Sequence, residues 1–194
     1  MTFAEYLLEQ KDYLKKIQIV YVLAQREKIF FDKSVMFKTD LVRTSIECSQ
    51  LKVDKNELIT ASLLYACKKD DSPQWQERLK TYGTESADFL KTLGFSDRFC
   101  KICEGHNRYN EQTSREFESD VLEVCDNFGG MLLFRPERPA YSVEDSLVLL
   151  ESRNLKDKNN QYLETFKEFV NIPGMIDEIK LLQRAANEAV KMSA

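Results

Sequence analysis

The sequence predicts an all-α chain. Apolar residues recur at spacings of three and four through most of its length, and no window alternates apolar and polar residues for long. Glycine and proline are scarce, 6 and 4 of 194 residues, so few positions break helical continuity. Thr2 with Glu5 forms a capping box, in which each side chain covers an orphan amide of the first turn. From there Phe3, Leu7, Leu14, Ile17, Tyr21 and Ala24 fall along one helical stripe. The β-branched stretch Ile17 to Val22 also admits a strand on local content, but its flanks are helical.

A second helix is expected over about Thr39 to Leu51. Asp54 with Glu57 opens a third, carrying Leu58, Leu63 and Leu64. Ser72-Pro73 restarts the chain, since proline at a first helical position loses no hydrogen bond. Helices near Thr84 to Leu93 and Ser96 to Arg108 follow, separated by Gly94 as a left-handed cap. The next begins near Ser114 and is expected to end at Gly129-Gly130. Arg135 to Tyr141, with two prolines, reads as a loop. Ser142 with Asp145 caps a helix from Val143 to Arg153, and Lys156 to Gln161 is a polar loop. Two last helices are divided by Pro173-Gly174. Without repeats or a long linker, residues 1–194 read as one domain, a length that suits a single core.

Composition narrows function. Lys and Arg total 28 against 32 Asp and Glu, a formal charge of -4, which argues against general nucleic-acid binding, since phosphate contact rests on a cationic field. The longest apolar run, Ile17 to Ala24, is short and interrupted by Gln18, so no membrane association is expected. Met1 to Glu5 lacks the basic flank and apolar stretch of a secretion signal. Five cysteines, at 48, 67, 100, 103 and 125, are an odd number in apolar surroundings. They read as buried thiols in a reducing, cytoplasmic compartment.

Three segments carry a resemblance. Ile59 to Lys69 (Ile-Thr-Ala-Ser-Leu-Leu-Tyr-Ala-Cys-Lys-Lys) resembles the helix of HD-type metal-dependent phosphohydrolases, where two leucines precede a His-Asp pair and a lysine follows. Gly105-His106-Asn107-Arg108-Tyr109-Asn110 is similar to the His-His-Glu-Arg-Tyr-Asp stretch of the HD-GYP branch. Val124 to Phe128, then Arg135-Pro136 and Tyr141 to Leu147, resemble that branch's Asp-bearing helix, Arg-Pro loop and following helix start. The likeness spans about Phe37 to Val170. It implies a multi-helix HD-domain-like bundle, with N-terminal helices in 1–36, an HD-GYP-like core in 37–170 and a C-terminal helix in 171–194. It also points to a bacterial source.

The departures fall on the metal ligands. The family's first His falls on Lys38, its His-Asp pair on Tyr65-Ala66, a further His on Tyr82, and its double His on Gly105-His106. The Gly-Tyr-Pro motif gives way to Glu111 to Ser114. His106 and Asp126 survive as ligand types, and Lys69 as the phosphate-side lysine. Paired cations need clusters of imidazole and carboxylate, and an ammonium at Lys38 repels a metal. The expectation is a chain without catalytic residues, metal or cofactor. It would act as a signalling or regulatory binding module through the former cleft of Lys38, Tyr65, Lys69, Tyr82, His106, Asp126 and Arg135. Its partner would be a protein, a second copy, or a nucleotide or other phosphate-bearing ligand. The alternative is an active phosphohydrolase, on a cyclic dinucleotide or nucleotide, with a reduced metal site.

Because the family's first His and last Asp share a metal, Lys38 and Asp126 are expected to be neighbours, joined as an ion pair in the cation's place. The alternative sends Lys38 to solvent and leaves Asp126 merely hydrogen-bonded. Cys100-Xaa-Xaa-Cys103-Xaa-Xaa-His106 invites a zinc reading, but Cys100 and His106 diverge by about 120° around a helix. Lys69, Arg108, Arg135 and Arg138 suit an anion site; for Arg135 the leading expectation is instead structural, tying its loop to a helix C-terminus. Tyr65 and Tyr82 would point into the former cavity and fill it. Trp75 reads as packing a short helix. Phe30, Phe31, Tyr6, Tyr13 and Tyr21 read as packing aromatics that extend to a dimer face.

Overall fold

A computed structural model of the chain describes residues 1–69, 79–107, 115–135, 138–154 and 160–191. Expectations falling on Ser72, Pro73, Trp75, Arg108, Glu111 to Ser114, Pro136 and Lys156 to Asn159 lie outside them. Among the described residues there are ten helices and no strand. They are α1 (Phe3–Glu9), α2 (Tyr13–Glu27), α3 (Lys33–Ser49), α4 (Lys55–Leu64) and α5 (Tyr82–Thr92). Then follow α6 (Asp97–Gly105), α7 (Phe117–Leu132), α8 (Val143–Asn154), α9 (Leu163–Val170) and α10 (Met175–Lys191). None is long and apolar enough to cross a membrane. Helix α3 is the hub of the bundle, packing on α4, α7, α9 and α10, while α5 and α6 lie against each other and α6 reaches both α4 and α7.

Several caps are where local chemistry put them. Thr2 completes its capping box, Asp54 and Ser96 accept amides of α4 and α6, and Ser142 Oγ accepts the amide of Asp145. Gly94 is left-handed at φ 92°, and a Cβ there would stand 2.9 Å from Thr2 Cβ. Gly94 therefore serves both the turn and the close approach of α1 to the end of α5.

Four expectations are corrected. The N-terminal stripe is two helices, because Asp12 accepts the Lys15 amide and restarts the chain. Helix α3 begins at Lys33, where Asp32 caps the amides of Ser34 and Val35, rather than near Thr39. Gly129 and Gly130 lie inside α7 instead of ending it. Cys48 is exposed, while Cys67, Cys100, Cys103 and Cys125 are buried.

Helix α2 also turns an unexpected face inward. Leu14 and Tyr21 are exposed at 69% and 54%, whereas Lys16 is 1% exposed beside Val20, Leu23 and Ala24. Lys16 Nζ donates to the Leu7 carbonyl at 2.6 Å and to Thr60 Oγ1 at 2.7 Å. It thereby caps the C-terminal turn of α1 and ties that helix to α4. Burial lowers its pKa to about 8.

Between pH 8 and 10 the unfolded chain therefore keeps a proton that folded Lys16 releases, which favours folding as pH rises. The buried thiols of Cys67, Cys103 and Cys125, whose pKa values are raised by burial, act in the opposite sense in any variant. The stability of the wild type relative to Lys16→Met should rise by about 2 kcal/mol over that window, measured by urea unfolding. A constant difference would place the ammonium in water.

Candidate functional site

Lys38, Tyr65, His106 and Asp126 come together between α3, the end of α4, the end of α6 and the middle of α7. Gly129 and Gly130 follow Asp126 by three and four residues, so all three share one face of α7. A Cβ on Gly129 would stand 2.8 Å from Lys38 Cγ and 3.1 Å from Leu41 Cδ1. The bare backbone thus admits the stem of Lys38, which is 4% exposed. Its ammonium reaches Asp126 Oδ1 at 2.6 Å. The Tyr65 hydroxyl donates to the same oxygen at 2.5 Å. Burial alone would raise the Asp126 carboxyl, but Lys38 and Lys69 outweigh it and hold the group well below the usual carboxylate range.

His106 makes the second half of the site. Its Nδ1 donates to the Cys103 carbonyl, and Nε2 accepts from the Tyr82 hydroxyl at 2.9 Å. A carbonyl only accepts, so a proton must sit on Nδ1, and the lowered pKa of the ring leaves Nε2 unprotonated at neutral pH. The ring is 2% exposed, and burial lowers its pKa to about 4, a shift that nearby Asp126 opposes. Tyr65 stands edge-on to the imidazole with centroids 4.2 Å apart. At 2% and 7% exposure, Tyr65 and Tyr82 are interior residues whose rings surround the imidazole.

The remaining cations divide. Lys69 is half-buried, with its ammonium 5.7 Å from the centre of the Phe30 ring. Burial lowers its pKa, Lys38 and Arg135 lower it further, and Asp126 opposes them. Arg135 Nη2 lies 3.2 Å from where a Gly130 Cβ would stand. The role of tying this loop to a helix end falls on Arg138, whose guanidinium donates to the carbonyls of Gly130 and Met131 at 2.6 and 3.2 Å. It also stacks over Tyr141. Arg138 is thereby spent on the C-terminus of α7, whereas Arg135 points back along α7 toward Lys38.

These side chains do not fit a metal. Asp126 Oδ1 is shared by an ammonium and a phenol, both imidazole nitrogens of His106 are hydrogen-bonded, and no group of three His, Cys, Asp or Glu side chains among the described residues is placed to hold a metal ion. Cys100 and Cys103 belong to the core of α6. No family model, curated protein or solved structure matches this chain. What residue-type reasoning missed is the bare face of Gly129 and Gly130. The signal was present as two glycines placed three and four residues beyond a carboxylate.

His106 is the sole histidine, so its titration is directly readable. Between pH 6.5 and 4 the unfolded chain binds a proton that the folded ring refuses. Stability should therefore fall by about 3 kcal/mol from this group as pH drops through that window. The Hε1 proton resonance of folded protein should titrate with a midpoint near 4. A midpoint at the ordinary 6.5 would mean that the ring meets water.

Proposed function

We propose that this chain is a catalytically silent, HD-GYP-like regulatory binding module, working in a reducing cytoplasmic setting through a protein partner, a second copy or a phosphate-bearing ligand. The observation that supports it best is the Lys38–Asp126 ion pair at 2.6 Å, formed by residues at the positions where the resembled family places two ligands of one metal. An ammonium there supplies the positive charge that a carboxylate in a core requires. It supplies no Lewis acidity and no activated water.

The other side chains lead the same way. A general base needs a free lone pair and a pKa near the working pH. Asp126 is held too acidic, and His106 is neutral with both nitrogens engaged. Tyr65 and Tyr82 occupy the space around the imidazole with rings. For a protein partner, the supporting feature is the outer side of α1 and α2. There Tyr6, Leu14, Tyr21 and Val22 are exposed, and a groove is lined by Phe3, Gln18, Ile19, Val22, Leu23 and Arg26.

Elemental analysis of the purified protein, paired with hydrolysis assays on cyclic di-GMP and bis(p-nitrophenyl) phosphate, tests the reading. No stoichiometric metal and no turnover are expected, with or without added manganese. Iron, manganese or zinc at stoichiometry, with turnover abolished by Asp126→Ala, would overturn it.

A further inference from the structure

We propose that this chain binds a second copy of itself head to tail, with the outer stripe of α2 on one copy lying antiparallel along the outer stripe of α10 on the next. The proposal rests on the binding-module reading above, selects the second copy from its kinds of partner, and gives that copy a place on the surface.

The first support is a pair of unpartnered helix faces. Helix α2 turns Lys16, Val20, Leu23 and Ala24 inward. It leaves Lys15, Gln18, Val22 and Arg26 exposed at spacings of three and four, along one stripe. Val22 is 65% exposed, and Val22 and Arg26 also line the groove that Phe3 and Ile19 share. On α10, Asp177, Leu181, Ala185 and Glu188 form an exposed stripe of the same kind, with Leu181 likewise 65% exposed.

The second support is charge complementarity in register. Lys15 and Arg26 stand about three turns apart, roughly 16 Å along α2, and Asp177 and Glu188 keep the same separation along α10. Laid antiparallel, Arg26 meets Asp177 and Lys15 meets Glu188. The same register sets Val22 against Leu181 and Gln18 against the small Ala185. Opposite charges thus bracket one apolar contact.

Neighbouring charges leave this match in place. Of the carboxylates in residues 1–31, none lies on the α2 stripe. Asp12 caps the Lys15 amide, Glu5 is held in the capping box, and Glu9 belongs to α1. Glu27 accepts from Arg26 Nε at 2.7 Å, which leaves the two terminal nitrogens of that guanidinium facing outward to a partner. On α10, Glu178 adds an exposed carboxylate, and Lys180 is bound to Glu144 of α8 at 3.2 Å. Arg184, the other described cation of α10, falls level with uncharged Ile19. The spacing also argues against pairing of like helices. An antiparallel α2 pair in this register sets Lys15 level with Arg26, and an α10 pair sets Asp177 level with Glu188, like charge on like. The contact is therefore heterologous, and each copy carries both halves of it.

Sedimentation velocity over a range of protein concentrations reads the association directly. At low salt the sedimentation coefficient of the wild type should climb with concentration. In about 1 M salt, where the screening length is about 3 Å, it should stay near the monomer value. Lys15→Glu/Arg26→Glu and Asp177→Lys/Glu188→Lys should each remain monomeric alone. An equal mixture of the two should associate again, because each supplies the charge that the other has lost, and that recovery shows both variants to be folded. A flat coefficient for the wild type, a mixture that stays monomeric, or association surviving in either variant alone would overturn the proposal. Survival in the α10 variant marks pairing through α2, and survival in the α2 variant marks pairing through α10. Each of those failures leaves the non-catalytic reading standing, whereas stoichiometric metal with turnover defeats that reading and leaves the association as measured.

Discussion

A buried ammonium held against a half-buried carboxylate fixes the centre of this bundle. Lys38 on α3 and Asp126 on α7 each bring into the core a charge that would be costly alone, and neither helix can slide without separating them. The pair is feasible because two further features serve it. Gly129 has no side chain where the Lys38 stem must pass, and the Tyr65 hydroxyl adds a second donor to the same oxygen. The link therefore ties α3, α4 and α7 together at one atom, with the buried Leu41 close by at Gly129.

The same arrangement supports the proposed non-catalytic reading. Each polar group is spent on a neighbour: Asp126 on Lys38 and Tyr65, His106 on the Cys103 carbonyl and Tyr82. Groups satisfied in this way rigidify a core. Reactivity needs an unmet lone pair or a pKa near neutrality, and burial drives His106 away from that range.

Local chemistry made much of the architecture legible. The caps at Thr2, Asp54, Ser96 and Ser142 and the left-handed Gly94 are short-range signals, and each stands where its residue type demands. Tertiary effects hid the rest. Gly129-Gly130 is a poor helix interior by propensity, yet the helix continues, and at Gly129 the side chains of α3 pack so closely that a Cβ would stand 2.8 Å from Lys38 Cγ. The inward face of α2 was misread because hydropathy favours Leu14 and Tyr21 over Lys16, while the core needed a donor for the Leu7 carbonyl. The pairing of Lys38 with Asp126 was legible through the order of the motifs. Which arginine caps α7 was not, since Arg135 and Arg138 are three residues apart and only the path of the loop decides between them.

A double-mutant cycle on Lys38→Met and Asp126→Asn, followed by urea unfolding at neutral pH, measures the central pair most directly. If the pair holds the bundle as described, each single change should cost about 3 kcal/mol, because it leaves the partner charge or dipole buried and unmatched. The double variant should then cost far less than both losses together. Independent, additive losses at the two positions would show that Lys38 and Asp126 do not depend on each other, and would contradict the account.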